Sequence, residues 1–231
     1  MPVPSRSRNS RNGGGEVSKK KLMYIPEFNR IEDQAVAIAF MRANPFAILV
    51  SAQNEAPFAT HLPVVIAEKG GQIMLRAHVA KANPHWKLFE QEPQKESLLI
   101  FHGPHAYISP ALYEIRESVP TWNYATVHAY GRARVLASDS DKKQVLGDLI
   151  SQFDSSYLDQ WNSFDEPYRN RMLNHIVAFE IAVARVEAKF KLSQNRTKGE
   201  QENVIQALSE NPDPAISGVA DLMRQRGLGK P

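Results

Sequence analysis

Cysteine is absent from this 231-residue chain. That excludes disulfides, thiolate metal ligands and thiol nucleophiles, and a reducing cytoplasm is the simplest setting. No apolar run approaches the roughly 18 residues that a membrane-spanning helix needs. The opening Met1-Pro-Val-Pro-Ser-Arg6 lacks the apolar core of a signal peptide. Also missing are a Gly-x-Gly-x-x-Gly fingerprint, a phosphate-binding P-loop, a nucleophile elbow, a Ser-His-Asp arrangement and any internal repeat. A general excess of positive charge is missing too, although the net charge is +3. Residues 1–21 hold six basic residues and one acid, which leaves 22 basic against 24 acidic residues in the remainder. The body is therefore not a basic protein, and the charge makes no case for a nucleic-acid surface.

What is present suits one soluble domain with an appendage: 42% apolar and 23% charged residues, enough chain to bury a substantial core. Residues 1–22, with Gly13-Gly-Gly15 and scattered Arg and Ser, offer no hydrophobic face and are expected to be a disordered basic extension. Such a tail could hold DNA electrostatically; a solvated extension, with a true start at Met23, is the simpler expectation.

Asn29 and Glu32 read as a capping box for a helix to Ala43, with Val36, Ala39, Phe40 and Ala43 on one face. Strands are expected at 46–50, 58–66, 73–79, 97–101, 122–136 and 176–186, with a turn at Gln53-Asn-Glu55 and a loop over 103–119. Short helices are expected at 81–89, with Pro84 in the first turn, and at 141–153, 166–174, 200–209 and 214–226. Six strands with hairpin-like connections and marginal helices indicate an antiparallel barrel of α+β class. The strand 122–136 alternates most clearly. Ala125, Val127, Ala129, Gly131, Ala133 and Val135 are small, whereas Trp122, Tyr124, Thr126, His128, Tyr130, Arg132 and Arg134 are large and polar or aromatic. The second face suits a subunit interface or a flat ligand better than bulk water.

Six of the seven histidines lie between His61 and His128. Arg76 and His78 share a strand face that feeds a helix start carrying Lys81 and Asn83. Free amides, a positive dipole end and a lysine make an anion site; the competing reading is an ordinary cap with a solvated lysine. Pro63 inside Thr60-His61-Leu62-Pro63 marks an edge, a bulge or a site, where backbone amides could face a heteroaromatic ring. Trp86 and Trp122 could wall that ring or belong to the core. His102 and His105 do not suit a metal, because Gly103-Pro104 interrupts the strand and no third ligand is placed to close a site. The polar run Lys189-Phe-Lys-Leu-Ser-Gln-Asn-Arg196 reads as a cover for an anionic ligand, a partner contact or a solvated connector. The last two helices match a helix-turn-helix only in number, since Asn211-Pro-Asp-Pro214 joins them and basic residues are few.

Several motifs together resemble the PaiB family of FMN-binding negative transcriptional regulators. They are Met23-Tyr-Ile-Pro26, Ala59-Thr-His-Leu-Pro63, His78-Val-Ala-Lys-Ala-Asn-Pro-His-Trp86, Phe101-His-Gly-Pro-His-Ala-Tyr-Ile-Ser-Pro110, Val119-Pro-Thr-Trp-Asn-Tyr124 and Lys189–Arg196. The resemblance implies a six-stranded antiparallel split β-barrel with peripheral and C-terminal helices, similar to pyridoxamine-phosphate oxidase. It divides the chain into the extension 1–22, an FMN-binding barrel at 23–198 and a helical appendage at 199–231 packed on the barrel. It further implies a homodimer with FMN at the subunit interface. The phosphate would lie by Arg76, His78, Lys81 and Asn83, and the ring along Thr60, His61, Leu62 and Pro63 beside Trp86. The second subunit would cover the ring through Trp122, Asn123 or Lys191, Gln194 and Arg196.

The function so implied is a cytoplasmic, flavin-dependent regulator or sensor. The alternative is an FMN-dependent oxidoreductase using NAD(P)H, with His61, His102 or His128 as proton donors. A minor alternative is haem binding through a histidine.

Overall fold

A computed structural model describes residues 23–53 and 56–230. The basic extension 1–22 and the Asn54-Glu55 part of the expected turn lie outside the described residues. After a 3-10 turn at Glu27–Asn29 come β1 (Arg30–Ile31), α1 (Gln34–Ala43), β2 (Phe46–Gln53), β3 (Ala56–Pro63), β4 (Val65–Lys69) and β5 (Gln72–Ala80). Then follow α2 (His85–Gln91), β6 (Glu96–Ile108), β7 (Thr121–Leu136), α3 (Asp139–Phe153), α4 (Tyr157–Ser163) and α5 (Glu166–Leu173). The chain ends with β8 (Ile176–Lys191), α6 (Lys198–Ser209) and α7 (Pro214–Gln225).

The strands form one sheet in the order β3-β2-β6-β7-β8-β5-β4, with β1 paired to β8. β3 and β4 sit at opposite ends of that order, yet only Val64 separates them in sequence. Consecutive Cα atoms are about 3.8 Å apart, whereas seven flat strands would set the two margins roughly 29 Å apart at about 4.8 Å per strand. The sheet must therefore curl until its margins meet at Val64, which is an α+β barrel with a split. Pro63 lacks an N–H, and the Val64 N–H donates to the Pro45 carbonyl at 2.9 Å instead of to a ladder.

The count of six strands is thus corrected to eight among the described residues. The segment expected as one strand breaks at Val64, and β1 is too short to show a pattern. The first six residues of the expected loop, 103–108, are also strand. Gly103-Pro104 shifts the register between His102 and His105, but β6 resumes and pairs with β7 as far as Ile108↔Thr121. Gly103 is required there, because a Cβ would lie 2.6 Å from Cζ of Phe40. The Asn29–Glu32 capping box does not form. Asn29 is buried in the 3-10 turn and Asp33 caps α1 through the Ala35 N–H. Residues Ala37, Ile38, Phe40 and Met41 of α1 are buried, while Ala39 and Ala43 are exposed. β8 runs five residues beyond its expected end at Val186, and α4 had no anticipated counterpart.

The core is continuous. Inward residues Leu49, Leu99, Phe101, Val127 and Ile181 cluster with Met41 of α1, Val204 of α6 and Met223 of α7. Burying each large side chain contributes about 1.5–3 kcal/mol. At its start, α6 carries a capping box in which the Thr197 hydroxyl accepts from the Glu200 N–H and the Glu200 carboxylate answers. No described helix is long and apolar enough to cross a membrane.

Candidate functional site

Barrel closure brings the two halves of the expected site together. β3 is a margin strand, so alternate N–H and C=O groups between Thr60 and Pro63 point away from the sheet. Across the split lie the end of β5 and the turn into α2. Asn83 Nδ2 donates to Thr60 Oγ1 at 3.2 Å, and the same hydroxyl lies 2.9 Å from His85 Nδ1. The strand expected to face a ring and the turn expected to face an anion are thereby joined side chain to side chain.

The turn does not offer the free helix-start amides that the sequence predicts. α2 begins at His85, and the amides of Lys81 and Asn83 are already used: they donate to His175 O at 2.7 Å and Ala80 O at 2.8 Å. The His85 N–H donates to Asn83 Oδ1 at 3.0 Å. Residues 81–84 form a turn because the residue before Pro84 resists helical geometry. The positive charge available at this turn is Lys81, which is exposed and carries no ion pair among the described residues. Trp86 packs on the core and its indole N–H donates to the Lys81 carbonyl at 3.1 Å, which fixes the turn.

His78 supplies an independent sign of a missing ligand. Its Nδ1 is buried and has no hydrogen-bond partner among the described residues, and burial lowers its pKa. Buried polar atoms are rarely left unpaired, so a group presented across the split would satisfy it. Arg76 on the same strand pairs ionically, with Nε 3.5 Å from Glu180 and Nη1 3.8 Å from Asp148, although its buried Nε, like His78 Nδ1, makes no hydrogen bond among the described residues.

The remaining candidates lie on or beneath the outward face of β6, β7 and β8. Trp122 is 53% exposed and its ring stacks near His105 at 6.2 Å, with Tyr107 edge-on. Lys191 donates to the Trp122 carbonyl at 2.7 Å and to the Thr121 hydroxyl. Its pKa is lowered by burial first and then by Lys189 and Arg196. Arg196 stacks 3.7 Å over the Tyr113 ring. Two expectations fail as direct contacts within this chain. Asn123 points inward and is fully buried, exchanging hydrogen bonds with the Ser193 hydroxyl, and Gln194 closes its own turn on Leu192 N and Phe190 O. His102 and His105 lie with ring centroids 4.8 Å apart, and no group of three or more metal-binding side chains converges among the described residues. Sequence reading assigned no role to His85, Ser51 or Ser97; the first stood in plain view within the His78–Trp86 motif.

These residues fit a flavin mononucleotide: an unpaired lysine and an orphaned imidazole for the phosphate end, and an open strand margin for the ring. When bound, that cofactor supplies electron-transfer chemistry.

Comparison with known proteins agrees. The family model described as "Putative FMN-binding domain" matches residues 23–185. The Bacillus subtilis (strain 168) protein named Protease synthase and sporulation protein PAI 2 is 35% identical over 208 residues, covering 88% of this chain and 98% of that one. Among solved structures, the flavocytochrome Anf3 from Azotobacter vinelandii superposes with a TM-score of 0.54 at 17% identity, over 71% of this chain and 69% of its own. An FAD and haem binding protein from Mycobacterium smegmatis gives a TM-score of 0.54 at 12% identity, over 71% and 73%. At those identities the likeness concerns the fold, a flavin-type split barrel. With a matching family model, a relative aligned almost end to end, and a barrel whose split joins an open strand margin to an unpaired lysine, this chain belongs to the PaiB-type family of FMN-binding split-barrel proteins.

Proposed function

We propose that the protein is a cytoplasmic homodimer that holds FMN where two barrels meet and acts as a flavin-dependent regulator or sensor. One observation supports this most. The sheet register aligns His61, Ile48, Ile100, His128 and Glu187 in a row across five strands, with Val50, Leu98 and Tyr130 in the next row. Ile48, Val50, Leu98, Ile100 and His128 stay half-exposed in mid-sheet, where a solvated face would carry charge. A second copy would bury this face, as contiguous exposed apolar surface usually requires. Trp122 and Lys191 stand at the end of the face, where they could reach a partner's flavin. Asn123 and Gln194 would act only through the backbone they hold.

Regulation rests on the resemblance to the PaiB family. α6 and α7 pack into the barrel core, so they present no free recognition helix. Contact with DNA would fall to other surfaces or to residues 1–22.

The purified protein should be yellow, release FMN on denaturation and scatter light as a dimer; a colourless monomer indifferent to added FMN would overturn the reading. A gel shift of the cognate promoter fragment, with the full chain and with a chain lacking residues 1–22, tests regulation. If neither form shifts it, direct repression fails.

A second reading, an FMN-dependent oxidoreductase acting with NAD(P)H, has one specific support. Burial lowers the pKa values of His102 and His128 on the outward face, which keeps both imidazoles neutral near pH 7 and suits them to accept a proton rather than to act as the donors expected from the sequence. Steady NAD(P)H consumption with an acceptor favours it, and flavin that NAD(P)H never bleaches removes it. The visible spectrum distinguishes flavin from haem.

A further inference from the structure

His85 is fully buried, yet both of its ring nitrogens are engaged. Nδ1 lies 2.9 Å from Thr60 Oγ1, and Nε2 lies 2.9 Å from Ser51 Oγ. Ser51 is in turn 2.7 Å from Ser97 Oγ, and Asn83 donates to Thr60. A chain of five side chains therefore runs Ser97–Ser51–His85–Thr60–Asn83 and crosses β6, β2, α2, β3 and the turn before α2. Phe58 and Phe89 pack against the imidazole with centroids 5.0 and 5.4 Å away, which closes it off from solvent.

Proton accounting gives this chain two states. Burial holds the imidazole neutral at ordinary pH, with one donor and one acceptor nitrogen. With the proton on Nε2, His85 donates to Ser51, and Thr60 must spend its only hydrogen on Nδ1. With the proton on Nδ1, His85 donates to Thr60, whose hydroxyl also accepts from Asn83. Its hydrogen is then free to be donated outward, and Ser51 donates to Nε2. Thr60 stands on the margin strand at the split.

We propose that His85 is a positioning residue of the flavin site: clamped between Ser51 and Thr60, it sets the spacing between β3 and the Lys81 turn, and its tautomer determines whether the Thr60 hydroxyl can donate to bound FMN. This rests on the placement of FMN at the split given above.

The test uses the full chain freed of flavin, titrated with FMN and followed by quenching of flavin fluorescence, for wild type, Thr60→Ser, Thr60→Val and His85→Gln. The ring 15N resonances of His85 are recorded in wild type before and after FMN. Thr60→Ser should bind within about twofold of wild type, and Thr60→Val about tenfold more weakly, the loss of roughly one buried hydrogen bond. His85→Gln should weaken FMN binding at least as much, and FMN should move the His85 resonances toward the Nδ1-protonated form. If His85 is merely a satisfied core histidine, Thr60→Val and His85→Gln will unfold at lower denaturant while the folded fraction binds FMN as wild type does, and the resonances will not respond. Either result overturns the proposal. Failure of wild type to bind FMN would instead overturn the placement on which it rests.

Discussion

Arg76 Nε lies 3.5 Å from Glu180 Oε2, and the same guanidinium reaches Asp148 at 3.8 Å. Glu180 also receives Arg134 at 2.5 Å, so two arginines share one carboxylate that is largely withdrawn from solvent. Arg76 is structural by this geometry. Arg76→Met should cost about 1 kcal/mol in urea unfolding, as for an ion pair at a partly buried site. FMN affinity should stay within about twofold. A tenfold loss of affinity at unchanged stability would return Arg76 to the cofactor.

Lys81 presents the opposite case, exposed and without a carboxylate. Lys81→Met should leave the unfolding midpoint unaltered and weaken FMN about ten- to a hundredfold, as expected for loss of a charged hydrogen bond. Riboflavin, which has no phosphate, should bind both forms equally. Equal losses for the two ligands would show that Lys81 does not meet the phosphate.

Ile100 lies at the middle of the half-exposed row, between Ile48 and His128. An aspartate there would leave a charge unpaired in the proposed contact. Ile100→Asp should raise the dimer dissociation constant at least about a hundredfold. Light scattering across a dilution series reads this directly, and an undiminished dimer would remove the face from consideration.

Acid should destabilise the fold through its histidines. Burial holds His85 at about 4, against 6.5 for a free side chain, and lowers His78, His102 and His128 in the same direction. Below pH 6.5 the unfolded chain takes up protons that the folded chain refuses, so stability falls as pH falls. At pH 5 His85 alone should account for about 2 kcal/mol. Urea midpoints at pH 7.5 and pH 5.0 measure the slope. His85→Gln should flatten it, and an unchanged slope in that variant would show that His85 titrates normally.

The sequence was legible where a segment's fate is local. The period-two pattern of β7 gave its limits to within one residue and its buried face, and the apolar spacing of 200–209 located α6 to within two residues of its start. It was illegible where distant chain decides. Gly103-Pro104 reads as a loop until β7 pairs across it. The Lys81 turn reads as a helix start until His175 and Ala80 claim its amides. Asn123 is a ligand contact only by the family resemblance, and the arrival of Ser193 and Met223 from elsewhere turns it into a core residue. Thr60 and Asn83 were singled out on separate segments, but their direct hydrogen bond, and the buried His85 that shares the Thr60 hydroxyl, required the barrel to close.

The single-residue step at Val64 leaves the barrel with a seam, and a seam with bare backbone groups invites a foreign strand to add to it. A flavin lying along β3 would seal that margin. Loss of the cofactor would then do more than switch off a signal: it would expose a template for self-association, and the colourless chain would be the form that aggregates on storage.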